Sequence, residues 1–71
     1  MGNDEILIKV GSNIKAIRTG KKLTQKSLAT GCGFEKARIS KIESGKANST
    51  LCTLYTISNV LEVQMIALFN N

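Results

Sequence analysis

The stretch LTQKSLATGCGFEKARISKIESGK, residues 23–46, contains two short helix-like runs separated by a pair of glycines. Thr24 is a favourable N-cap, and an apolar pair one turn later gives the first run an inward face. Gly31 and Gly33 supply backbone conformations that end this helix. The first half of the stretch therefore predicts one short helix followed by a tight turn.

The second run begins at Glu35 and places Ile39 and Ile42 three residues apart on one helical face. Ser44 and Gly45 then end the helix. Two short helices joined by a glycine-containing turn are typical of a helix-turn-helix, which we predict over residues 24–45.

A longer amphipathic helix is predicted before this stretch, from Asp4 to about Lys21. Its apolar residues follow the spacing 3, 4, 3 that marks one helical face, namely Leu7, Val10, Ile14 and Ile17. Gly11 weakens this helix by about 1 kcal/mol relative to alanine without breaking it.

Two more helices are predicted after the stretch, and no strand-like alternation interrupts the chain. Thr50 caps a fourth helix, and a last short one runs from about Gln64 to Phe69. The core side of the fourth helix is formed by Leu51, Leu54, Ile57, Ser58 and Leu61. We therefore expect an all-α fold, a compact five-helix bundle that forms one domain over residues 1–71.

The charges are distributed unevenly along the 71 residues, which carry a net charge of +5. Every Lys and Arg lies between Lys9 and Lys46, whereas residues 47–71 carry only Glu62. A basic part of this kind suits a polyanion, and an ordinary solvated surface is the alternative. The longest late apolar run, Met65–Phe69, is far too short to cross a bilayer.

The inventory of reactive side chains argues against an enzyme or a metal protein. The chain has no His, and Cys32 and Cys52 are too far apart in sequence for a typical zinc motif. Paired carboxylates and an activated nucleophile are also missing. No secretory start precedes Ile6, so we expect a cytoplasmic protein with free thiols, no cofactor and no metal. We expect Cys32 in a small core position between helices, and Cys52 either exposed or close to the twofold axis of a dimer.

A set of positions in register extends over nearly the whole chain. They are Val10-Gly11, Ile14, Ile17-Arg18, Leu23-Thr24-Gln25, Leu28-Ala29, Gly33, Ile39-Ser40, Ile42-Glu43, Gly45, Leu54, Ile57, Leu61, Val63 and Leu68. In this order and spacing they resemble the Cro and lambda-repressor-like (XRE) helix-turn-helix family of DNA-binding regulators. The resemblance implies a lambda-repressor-like domain that binds double-stranded DNA.

The resemblance also implies which residues touch DNA. The helix beginning near Glu35 matches the recognition helix, whose early residues face base edges in the major groove. Its expected base-contacting residues are Glu35, Lys36, Ala37, Arg38 and Lys41. The expected phosphate-binding residues are Thr24, Gln25, Lys46, Asn48 and Ser49, because a helix N-terminus and a polar loop both favour anions.

Three positions carry structural expectations within the same resemblance. Arg18 and Glu43 match an ion pair that links the first helix to the end of the recognition helix. Glu62 stands where many family members have a helix-ending glycine, so we expect a tighter or differently turned connection there.

The segment Met65–Phe69 is apolar on more than one face and needs a covering surface. A second copy is one such surface, and an unusually tight monomer core is the alternative. We predict a homodimer formed by residues 50–69 through Tyr55, Asn59, Met65, Ile66 and Phe69. Such a dimer would place two recognition helices about 34 Å apart on a palindromic operator.

The function implied is that of a sequence-specific transcriptional regulator. The apolar last helix and the Leu61-Glu62-Val63 segment are similar to controller proteins of restriction–modification systems, which would also contact RNA polymerase when they activate. A phage Cro-like repressor and an antitoxin of the same fold are alternatives. A protein-interaction module that recognises an acidic partner rather than DNA is a further alternative.

Overall fold

A computed structural model describes residues 3–70 of the chain. Helix α1 is Asn3–Gly20, α2 is Gln25–Cys32, α3 is Lys36–Glu43 and α4 is Leu51–Leu61. A 3-10 turn, Met65–Leu68, follows α4. The all-helical class is confirmed, and residues 3–70 contain no strand.

The prediction of a fifth helix is wrong, because the last segment is a four-residue 3-10 turn. Its bonds are short-range: the Ala67 amide donates to Gln64 O, and the Phe69 amide donates to Ile66 O. A segment this short closes i→i+3 bonds more readily than a full α-helical turn.

The core lies where α1, α2, α4 and the 3-10 turn meet, with α3 closing one side. Every one of these elements contributes at least one fully buried side chain. They are Ile14, Leu28, Ile39, Ile57, Leu61 and Leu68. The prediction that Leu51 lies on the core side of α4 is wrong. Leu51 is 70 % exposed, because it begins α4 at the edge of the core.

Gly11 is the point at which α1 crosses α3. A Cβ at this position would lie 2.2 Å from Ile42 O and 2.7 Å from Glu43 O. The glycine therefore permits a backbone contact between the two helices. This contact compensates for the helix propensity that glycine lacks.

The turn between α2 and α3 depends on Gly33 alone. Gly33 is the left-handed C-cap of α2, with φ of 75°, and its amide donates to carbonyls of the preceding turn. Gly31 was expected to help end the helix, but it lies inside α2. A Cβ there would meet Val60 Cγ1 at 2.8 Å, so Gly31 is small because α4 packs against it.

Glu62 ends α4 in the left-handed conformation, with φ of 58° and ψ of 43°. This is the ordinary cap that a glycine would adopt, so the expectation of a differently turned connection is wrong. The C-terminal segment is fastened to α1 by Asn13, whose buried Nδ2 donates to Leu68 O at 3.0 Å. Within residues 3–70, no helix is both long enough and apolar enough to cross a bilayer.

Candidate nucleic-acid interface

Helix α3 presents one face to the core and the other to solvent. Ile39, Ile42 and Glu43 are buried. Successive residues rotate by about 100° around a helix, so Ala37 and Lys41 occupy the middle of the exposed face. Both are expected base-contacting residues, and both are exposed.

Ser40 lies on the same exposed face of α3, one turn before Ser44. Sequence reasoning passed over Ser40, although helical spacing from Ala37 would have placed it there. Its hydroxyl is a small donor and acceptor beside Ala37 and Lys41, which is chemistry that suits contact with either kind of base pair.

The first turn of α3 carries Glu35 and Lys36, which are both exposed. Glu35 is the N-cap residue, but its side chain makes no capping hydrogen bond. Its side chain therefore does not cap the helix. Its carboxylate remains free to accept a hydrogen bond from a base, and Lys36 remains free to donate one.

Arg38 is held within the chain on the flank of α3 that faces α4. Its Nη2 donates to Thr53 Oγ1 at 3.0 Å, and its guanidinium carbon lies 4.1 Å from the centre of the Phe34 ring. The expected base contact would therefore require Arg38 to give up its interactions with Thr53 and Phe34.

The N-terminus of α2 lies beside the end of α3. Thr24 Oγ1 accepts from the Ser27 amide and donates to Ser27 Oγ, both at 2.9 Å, so the threonine hydroxyl is occupied. Gln25 Nε2 donates one proton to Glu43 Oε1 at 3.1 Å. An amide nitrogen carries two protons, so Gln25 keeps one for an anion at the helix N-terminus.

Glu43 also forms the expected ion pair with Arg18. Nε of Arg18 lies 2.6 Å from Oε2 of Glu43, and Nη2 lies 3.1 Å from Oε1. The two side chains are only 9 % and 2 % exposed. A further bond from Arg18 Nη1 to Leu23 O, at 2.7 Å, joins the loop before α2 to the pair. The network fixes α1, α2 and α3 relative to one another.

The loop between α3 and α4 contains Lys46 and Asn48, which are exposed, and Ser49, which is half-buried. Gly45 opens this loop with φ of 77°. A Cβ there would lie 2.8 Å from Ile8 Cα, so the loop is held close to α1. The loop thereby presents Lys46 and Asn48 at the C-terminal end of α3.

A separate surface of exposed apolar side chains is formed by α4 and the 3-10 turn. Tyr55 is 59 % exposed, Ile66 is 61 % exposed and Phe69 is 39 % exposed. Asn59 is also exposed. Met65, which is also predicted at the interface, is half-buried and packs against the core. An apolar groove of about 200 Å³ is lined by Phe69 and by residues of α1, the end of α3, the loop after α3 and α4.

The two cysteines are free thiols in different surroundings. Cys52 is exposed, as expected. Cys32 is half-buried and packs against the core. Burial raises the pKa of the Cys32 thiol, and the charge of Arg38 offsets part of that rise. Residues 3–70 contain no cluster of metal-ligand side chains.

Comparison with known proteins identifies the class of this fold. Residues 14–68 match the HTH_3 helix-turn-helix family. The chain belongs to this family of helix-turn-helix transcriptional regulators, and the expected Cro and lambda-repressor-like resemblance is confirmed.

Two relatives in sequence are each 37 % identical over 59 residues, which is 83 % of this chain. One is an HTH-type transcriptional regulator of Sinorhizobium fredii, of which 77 % is covered. The other is the immunity repressor protein of Bacillus phage phi105, of which 41 % is covered.

Similar solved structures include two restriction–modification controller proteins. C.AhdI from Aeromonas hydrophila is 28 % identical with a TM-score of 0.87, over 89 % of this chain and 96 % of that one. C.Esp1396I, solved as a tetramer with its natural 35 base-pair operator, is 38 % identical with a TM-score of 0.83. The match covers 90 % of this chain and 84 % of that one.

Proposed function

We propose that this helix-turn-helix regulator binds palindromic operator DNA as a homodimer, with α3 in the major groove. The observation that carries the proposal is the exposed face of α3, where Ala37 and Lys41 stand opposite the buried isoleucines. Lysine donates to guanine O6 and N7, and an alanine methyl contacts the thymine methyl.

In this arrangement Glu35, Lys36, Ala37 and Lys41 contact bases, and Ser40 lies among them. Glu35 accepts from cytosine N4, which is the base-edge group that a carboxylate suits.

Phosphate binding is assigned to two segments on either side of α3. At the start of α2, the free amide proton of Gln25 and the first-turn backbone amides face one strand. Thr24 contributes its backbone, because its hydroxyl is occupied by Ser27. In the loop after α3, Lys46, Asn48 and Ser49 face the backbone and position α3 without specifying sequence.

The homodimer is supported by the exposed apolar surface of Tyr55, Ile66 and Phe69, with Asn59 beside it. Exposed apolar side chains on two adjacent elements favour a self-complementary contact. A twofold axis through α4 and the 3-10 turn would bring two α3 helices to half-sites about one DNA turn apart, roughly 34 Å.

The narrower role we favour is that of a restriction–modification controller, supported by the likeness to C.AhdI and C.Esp1396I over nearly the whole chain. Activation by such a protein would involve RNA polymerase beside the operator. A phage repressor is the second candidate, favoured by the match to the phi105 immunity repressor.

The decisive experiment is selection of bound duplexes from a randomised DNA pool, followed by titration of the winner at several salt concentrations. We expect an enriched palindrome, bound by two chains, with half-sites about one turn apart. Weak, salt-sensitive binding without enrichment would reject sequence recognition and favour an acidic protein partner.

Two alanine variants separate base contacts from phosphate contacts. Lys36→Ala should weaken binding to the selected operator more than to random DNA. Lys46→Ala should weaken both alike and reduce the salt slope by about one unit. Equal effects of the two substitutions on both DNAs would contradict this division.

A further inference from the structure

We propose that Arg38 is a positioning residue that fixes α3 against the start of α4, and that it does not contact a base. The inference rests on the proposed function, because the orientation that Arg38 sets is the orientation of α3 in the DNA groove. It is supported by the set of partners of the Arg38 guanidinium and by the packing of α3 and α4.

Helices α3 and α4 contribute to the same apolar core, but their backbones do not approach each other as closely as that of α3 approaches α1 and α2. Helix α3 packs closely against α1 and α2, whereas α4 packs closely against α2 and the 3-10 turn. Within residues 3–70, the bond from Arg38 Nη2 to Thr53 Oγ1 is the one side-chain hydrogen bond that joins α3 to α4. This bond therefore adds a polar link to a junction that is otherwise formed by apolar core packing and by the loop.

The acceptor of this bond is itself fixed. Thr53 is buried, and its Oγ1 lies 3.0 Å from Thr50 Oγ1. Thr50 is the N-cap of α4, and its Oγ1 accepts from the Thr53 amide at 3.2 Å. Because a guanidinium can only donate, Thr53 Oγ1 accepts from Arg38 and its own proton is available to Thr50. The chain of bonds ends in the cap of α4.

Arg38 is an exposed residue, but one face of its guanidinium is covered. Phe34, in the turn before α3, lies under Arg38 at 4.1 Å and packs against the core. Stacking and the hydrogen bond together hold the side chain along the flank of α3, directed at α4. Ala37 and Lys41, by contrast, occupy the face directed away from the core.

The test is a double-mutant cycle on Arg38→Ala and Thr53→Val, measured on the intact chain with the selected operator. Thr53→Val removes the acceptor without changing charge, so it isolates positioning from phosphate attraction. We expect it to weaken operator binding about fivefold to tenfold, as loss of a charge-assisted bond would. The preferred base at every operator position should stay the same.

Ser58→Ala is the matched control. Ser58 is a buried hydroxyl residue of the same helix, and its Oγ donates to Tyr55 O rather than to α3. We expect Ser58→Ala to leave operator affinity within about twofold of the unmodified protein, whatever its effect on unfolding.

The base preferences of each variant distinguish positioning from base contact. If Arg38→Ala changes the preferred base pair at one position and Thr53→Val does not, Arg38 contacts that base and the proposal is overturned. If the two substitutions are fully additive in operator affinity, the link between them has no positioning effect and the proposal is also overturned.

Failure of the proposed function gives a different result. If the unmodified protein enriches no DNA sequence, operator recognition is rejected, and the proposed role of Arg38 in DNA binding is rejected with it. The same cycle measured by urea unfolding would then still decide the link itself. Coupling between Arg38 and Thr53 supports the junction, and additive effects reject it.

Discussion

Glu62 shows how one residue can carry a conformational cost at a helix end. Its φ of 58° is left-handed, and an L-residue with a Cβ meets a steric penalty there that glycine avoids. We expect Glu62→Gly to raise the free energy of unfolding by about 1 kcal/mol, measured by urea denaturation.

Glu62→Ala is the control for this prediction, since it removes the carboxylate and keeps the Cβ. It should leave stability nearly unchanged. Equal stabilisation by alanine and glycine would show that the glutamate charge, rather than the backbone conformation, is responsible.

The buried ion pair of Arg18 and Glu43 gives a second prediction for single residues. Glu43→Ala leaves the Arg18 charge buried without its carboxylate, at a cost of about 3–5 kcal/mol. We expect most of the variant to be unfolded at 25 °C by circular dichroism, because a domain of this size has little stability to lose.

The double variant Arg18→Met/Glu43→Leu removes both charges and keeps apolar volume. It should restore cooperative unfolding, since paired burial of charges contributes little net stability. A double variant as unfolded as Glu43→Ala would mean that the geometry of the pair, rather than charge balance, maintains the fold.

At the scale of elements, the contact of α1 with α3 depends on Gly11. Gly11→Ala would place a Cβ 2.2 Å from Ile42 O, which the two helices cannot accept without moving apart. We expect a loss of more than about 2 kcal/mol in unfolding free energy, in line with other overpacked sites.

Gly20→Ala provides the comparison within the same helix, because nothing lies within 4 Å of a Cβ there. It should be neutral or stabilising by up to about 1 kcal/mol. If both substitutions had similar effects, helix propensity would explain them and the close crossing at Gly11 would not.

The sequence was informative about elements wherever a local rule acts. Apolar spacing located α1, α2, α3 and α4, and Thr24 and Thr50 predicted two N-caps that the structure contains. Local rules failed where contacts are distant in sequence. Gly31 was predicted to help end α2, yet it lies inside the helix and leaves space for Val60 of α4.

The candidate site follows the same division. The exposed face of α3 could be predicted from periodicity, which also would have found Ser40. The partners of Arg38 could not be predicted from the sequence, because Thr53 is fifteen positions away. An arginine on a basic helix has the same sequence pattern whether it contacts DNA or another part of the chain.

At the scale of the whole molecule, the exposed Tyr55, Ile66 and Phe69 surface predicts the effect of a single charge. Ile66→Asp would desolvate a carboxylate at the proposed dimer contact, so we expect a monomeric mass by sedimentation at micromolar concentration. Operator affinity should fall about a hundredfold or more, because two linked half-site contacts become independent.

Ser12→Asp, on the exposed side of α1, adds the same charge elsewhere and should leave the mass unchanged. An Ile66→Asp protein with the same mass as the unmodified chain would place the twofold contact on another surface or remove it altogether.

The bond from Asn13 to Leu68 O joins positions 55 apart in sequence. Leu68 is fully buried, so the hydrophobic core is incomplete until that residue has been synthesised. A nascent chain that has not yet added Leu68 lacks this part of the core and the bond that fastens it to α1. Completion of the core therefore follows addition of Leu68, and slowing elongation upstream would not give the chain an earlier opportunity to complete it.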